Sequence, residues 1–151
     1  MLSLTEIEDL LLARIKAQLP YLVTVESYQG QIDEKAIEDA KVVIRTPAVL
    51  VLLKKTAGSL IAFNEVEETY EFTLIIACRN LRGQEAARRE DGGAYQILTD
   101  LRRALWDYTL APALLPLEFV LDDAFLVTRE WAIYFATYTT KQEIEIIKQE
   151  V

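Results

Sequence analysis

Histidine is absent from this 151-residue chain, and cysteine occurs once, as Cys78. Without imidazole the chain cannot by itself build a Ser-His-Asp or Cys-His catalyst, a His-ligated zinc site or a switch that titrates near neutrality. A single thiol makes no internal disulfide and no metal knot, which fits a reducing compartment. Basic residues are also scarce: 16 Lys and Arg stand against 24 Asp and Glu, for a net charge of −8. Grip on a phosphate backbone comes from neutralising cations, so tight nucleic-acid binding is not expected. The longest apolar stretches, near residues 10–13, 49–53 and 110–117, fall short of the ~20 residues of a spanning helix. No membrane span is expected. Glu6, Glu8 and Asp9 stand where a secretory signal would carry Lys or Arg, so the expected location is the cytosol.

What is present reads as one folded domain over residues 1–151, with 52% apolar and 26% charged residues and no segment poor enough in Leu, Ile, Val and Phe to stay disordered. Ser3-x-x-Glu6 and Thr5-x-x-Glu8 are capping boxes that would start a first helix. Leu4, Ile7, Leu11 and Ile15 then recur at helical spacing until Pro20. Residues 22–28 are β-rich, Tyr28-Gln29-Gly30 is a turn, and residues 33–41 have the pattern of a short exposed helix. The run at 48–53 has strand length and no polar face, which places it inside a sheet, and the Gly58-containing stretch 54–59 is expected to be a loop.

A long strand follows, with Tyr70, Phe72, Leu74, Ile76 and Cys78 on one face and Glu71, Thr73, Ile75 and Ala77 on the other. Residues 79–93 look loop-like, although 84–90 has helical potential. After Gly92-Gly93, Ile97, Leu98, Leu101, Leu105 and Tyr108 mark an amphipathic helix with Asp100, Arg102, Arg103 and Asp107 on its polar face. Residues 117–121 and 125–140 read as an antiparallel pair around a turn at Asp122-Asp123, with a last strand at 144–148. The spacing between strands is too short for parallel crossovers. The expected fold is therefore α+β: a mostly antiparallel sheet with two main helices packed on one face.

Two charged groups are candidates for function. Glu65, Glu67 and Glu71 share one strand face with oxygen donors suited to Mg²⁺ or Ca²⁺, and a metal-dependent hydrolase would use them. The plainer reading is an edge strand whose charge blocks aggregation, and no partner base, oxyanion donor or phosphate cradle accompanies the cluster. Six of the nine arginines lie between Arg79 and Arg103, against four acidic residues. Arg79, Arg82, Arg88 and Arg89 are the residues expected to dock on an acidic partner surface, with a solvated loop as the bland alternative. Cys78, at the end of an apolar strand face, is expected in the core rather than as a nucleophile.

Three stretches, Arg45-Thr46-Pro47-Ala48-Val49-Leu50-Val51, then Arg79-Asn80-Leu81-Arg82-Gly83 leading to Ala86-Ala87-Arg88-Arg89, then Gly93-Ala94-Tyr95-Gln96-Ile97-Leu98, give the chain a family likeness. It resembles the small Mu-like prophage virion proteins related to tail terminators, over essentially its whole length. The resemblance implies an α+β fold and a structural role without catalysis or cofactor. Such proteins form a homo-oligomeric ring, usually sixfold, on the end of the tail tube, stop its growth and meet the head-tail joining proteins. It also implies assembly in the host cytoplasm and a final place in the virion tail. A neck adaptor between head and tail is the alternative within phage assembly, and an acidic monomeric inhibitor or immunity protein is an alternative from another class.

Overall fold

A computed structural model describes residues 1–32, 35, 44–80 and 84–146. Three helices are described, α1 (Leu4–Gln18), α2 (Gln84–Arg89) and α3 (Ala94–Leu105). The strands are β1 (Thr24–Ser27), β2 (Ala48–Ala62), β3 (Glu65–Arg79), β4 (Glu118–Val127) and β5 (Trp131–Glu145). They form one five-stranded sheet in the order β1-β2-β3-β5-β4. Every pairing is antiparallel except β1 with β2. The fold is the expected α+β arrangement; the parallel β1–β2 pair departs from expectation because the chain between them, residues 28–47, is long enough to cross over.

The Ser3 capping box is present: the Ser3 hydroxyl accepts from the Glu6 N–H and donates to the Glu6 carboxylate, both at 3.1 Å. Ile7, Leu11 and Ile15 are fully buried from that helix, whereas Leu4 is exposed. They pack with Ile97, Leu98 and Leu101 of α3 onto one sheet face, where Tyr70, Phe72, Leu74, Ile76 and Cys78 of β3 form the floor. Removing such side chains from water is worth about 1.5–3 kcal/mol each, so this helix-covered layer dominates stability. Arg14 joins the two helices, donating from Nε to the Ala104 carbonyl at 3.1 Å and lying 3.7 Å from the Tyr108 ring centroid. Gly93 opens α3 where a Cβ would meet the carbonyl oxygens of Glu90, Ala87 and Arg88 at 2.8–2.9 Å. Only glycine lets the α2–α3 corner close this tightly.

The opposite face holds a smaller cluster, with Ile32, Ala48, Leu50, Ile75, Ala77, Trp131 and Ile133 buried. No described helix packs there.

Several boundaries differ from the sequence reading. The stretch 54–59 is strand, not loop: β2 runs on to Ala62 and turns through Asn64, at φ 63, into β3. Asp122-Asp123 is not a turn either; both lie within β4, and the chain reverses between Val127 and Trp131. α3 ends at Leu105, so Asp107 sits beyond the helix at φ 64, its N–H donating to the Leu117 carbonyl at 2.7 Å. Residues 84–89 are helical, and Ile144 and Glu145 continue β5 rather than forming a separate strand. The expected helix at 33–41 lies outside the described residues, apart from Lys35.

Candidate assembly surface

The sheet is longer than the layer of helices that covers it. β2 is buried from Ala48 to Val51 and exposed along nearly all the rest of its length. Residues 54–62 pair with β3, which in turn pairs with the end of β5, so β2, β3 and β5 project as a three-stranded arm. Near its tip Leu60 is 70%, Ile61 45% and Phe63 83% exposed. Scattered exposed apolar residues are ordinary, but these three together form an apolar patch on a projecting hairpin.

A second apolar surface lies on the face without helices. Here a cavity of about 420 Å³ is lined by Tyr28, Leu52, Val120, Phe125 and Phe135, among others. Phe125 and Phe135 stack at 4.6 Å between centroids. On the floor, the buried Thr73 hydroxyl has no hydrogen-bond partner.

The arginines chosen from sequence do not converge. Arg79, ending β3, holds Glu130 at 3.0 Å and lies 5.5 Å from the Trp131 centroid. Arg88 reaches the Tyr95 hydroxyl at 3.3 Å, while its Nε is buried with no partner. Arg89 pairs with Glu85 one turn away at 3.2 Å, with both side chains well exposed. Arg82 lies outside the described residues. The sequence reading missed Arg102, whose guanidinium crosses from α3 to bind Asp122 on β4 and sits 4.8 Å from the Phe119 centroid. A helix arginine 20 residues away from its carboxylate leaves no local signature.

The carboxylates of the hydrolase reading are spread out. Glu65 and Glu71 are six residues apart on an extended strand, about 20 Å at ~3.3 Å per residue. Glu67 pairs with Lys141 at 3.6 Å and Glu71 with Lys54 at 4.0 Å. Among the described residues no three His, Cys, Asp or Glu side chains are placed to hold a metal ion. Cys78 is buried, and burial pushes its thiol up to about 12, which leaves it protonated and a poor nucleophile at neutral pH.

The family model described as "Bacteriophage Mu, Gp37" matches residues 3–143. The chain belongs to this bacteriophage Mu family. It is a structural protein of a Mu-like phage. No curated protein matches the chain. Among the described residues no helix is long and apolar enough to cross a membrane. Membership of the family agrees with the Mu-like resemblance seen in sequence.

Proposed function

We propose that the chain is a tail terminator: copies join into a ring that caps the tail tube, stops its growth and offers a platform for the head-joining proteins. It would assemble in the host cytoplasm, remain in the virion tail and act without catalysis or cofactor. The observation that carries this reading is the arm of β2, β3 and β5, extending past the helix-covered core with Leu60, Ile61 and Phe63 exposed. Apolar surface held away from the core gains nothing for a monomer and is buried by contact with a neighbour. Membership of the Mu family supports a virion protein as that neighbour.

The exposed side of the 84–89 helix offers Arg89, which suits an acidic tube or neck partner through charge-assisted hydrogen bonds. The test is mass in solution by light scattering, for the chain alone and mixed with tail-tube protein. A closed oligomer in either sample fits the reading. A strict monomer in both, at concentrations high enough for virion assembly, overturns it and favours a monomeric binding protein.

A further inference from the structure

The two edges of the sheet differ in charge. On one side β1 covers β2 only from Ala48 to Val51, so among the described residues the β2 edge is open from 52 to 62. That open stretch carries Lys54 and Lys55 and no acidic residue. On the other side β4 is the last strand, and it carries Glu118, Asp122 and Asp123 and no basic residue. Asp122 is bound by Arg102, but Glu118 and Asp123 are exposed and, among the described residues, form no ion pair. Among the described residues Lys55 is likewise exposed and in no ion pair, and Lys54 has only the 4.0 Å contact with Glu71.

We infer that the open β2 edge of one copy pairs with the β4 edge of the next, so that the sheets continue from subunit to subunit around the ring. This rests on the terminator reading and names the contact that would build its ring. An unpaired edge strand presents a row of free N–H and C=O groups that another strand can satisfy. Pairing two β2 edges would bring Lys54 and Lys55 against their own copies, and pairing two β4 edges would oppose Glu118 and Asp123 with themselves. Like charges directly across a ladder repel. Only the unlike pairing is attractive, and a contact between two different surfaces of one chain is the heterologous kind that closes rings.

Strand direction agrees. β2 and β5 both run antiparallel to β3, and β4 runs antiparallel to β5, so β4 runs opposite to β2. Rotation about an axis along the strands preserves direction, so β4 of one copy meets β2 of the next as an antiparallel ladder. Bulges narrow the register. On β2 the ladder is regular from Lys55 to Leu60, and on β4 from Leu121 to Ala124. Lys55 and Asp123 fall within those regular stretches, so a short ladder brings the opposite charges together while the bulges keep the edges from sliding.

The experiment uses two charge-reversed full-length chains, Lys54→Glu/Lys55→Glu and Glu118→Lys/Asp123→Lys, each checked for folding by circular dichroism and melting. Light scattering of each alone is expected to show loss of the ring, because its two edges now carry the same charge. An equal mixture is expected to restore the ring, since each edge then meets its opposite on the other variant. Amide hydrogen exchange on the unmodified chain gives a second reading: residues 52–62 and 118–127 should be protected in rings and exchange faster in dissociated subunits. Rings formed by either variant alone, failure of the mixture to assemble, or equal exchange in rings and subunits would overturn the inference while leaving ring formation intact. A wild-type chain that stays monomeric with tail-tube protein would instead overturn the terminator reading, and this contact with it.

Discussion

Gln142 and Tyr70 share a buried hydrogen bond at 3.0 Å, from the Gln142 side-chain amide on β5 to the tyrosine hydroxyl on β3. The same glutamine accepts from the Leu2 N–H at 2.6 Å, and Tyr70 donates onward to Glu68 at 2.7 Å. This network lies where the helix-covered core gives way to the arm. It fastens the start of the chain to the sheet and satisfies the buried Gln142 amide and Tyr70 hydroxyl.

Gln142→Leu should therefore destabilise the fold although it is a polar-to-apolar change inside the protein. It removes the buried partner of the Tyr70 hydroxyl and the acceptor of the half-buried Leu2 N–H, and an unsatisfied buried group costs about 1–3 kcal/mol. For a domain of this size each kcal/mol moves the melting temperature by ~2–4 °C. A thermal melt showing no decrease would mean that the network contributes nothing.

Alkaline pH should weaken the fold through Cys78. Burial raises its thiol from 9.0 to about 12, so the folded state holds the proton more tightly than the unfolded chain. The resulting stability is complete below pH 9 and is lost as the pH climbs towards the folded value. Tyr70, raised to about 12 by burial and by its bond to Glu68, acts in the same direction. Urea unfolding at about pH 8 and about pH 10 should show the decline, and Cys78→Ala should make it shallower. A thiol reagent should modify Cys78 only when denaturant is present.

The carboxylates at Glu65, Glu67 and Glu71 should be dispensable. Replacing all three by Gln removes two surface pairs, with Lys141 and Lys54, each worth about 0–1 kcal/mol. Assembly should survive, and Mg²⁺ or Ca²⁺ should not raise the melting temperature of the unmodified chain. Loss of a metal-dependent hydrolytic activity in that variant would show that a structural role is the wrong account.

Arg82→Ala/Arg88→Ala/Arg89→Ala tests the basic segment as a contact for tube or neck. Single exposed pairs are worth ~0.2–1 kcal/mol, so the effect is expected from the three together. The variant should melt nearly as the wild type does and fail to complement a terminator-deficient phage, whose tails would grow to irregular lengths. Tails of normal length would leave these arginines as a solvated surface.

The helix-covered core was legible in sequence because burial there follows period. Ile7, Leu11 and Ile15 repeat along a helix, and Tyr70, Phe72, Leu74, Ile76 and Cys78 alternate along a strand. The arm was not legible for the converse reason. Residues 54–59 are exposed on both faces and held by the ladder to β3, so no burial pattern marks them as strand. Asp122 and Asp123 looked like a turn because the features that make them strand residues, the ladder to β5 and the Arg102 guanidinium, come from distant parts of the chain. The basic segment was visible as composition, but the internal partners of Arg79 and Arg88 were not.

Tube growth is the most direct test of the terminator role. Tail-tube protein should be polymerised with and without the chain and the tubes measured by negative-stain electron microscopy. Shorter tubes bearing a ring at one end are expected when the chain is present. Tubes of unchanged length without a terminal ring would contradict that role, and rings that bind tube ends without limiting growth would point to a neck adaptor instead.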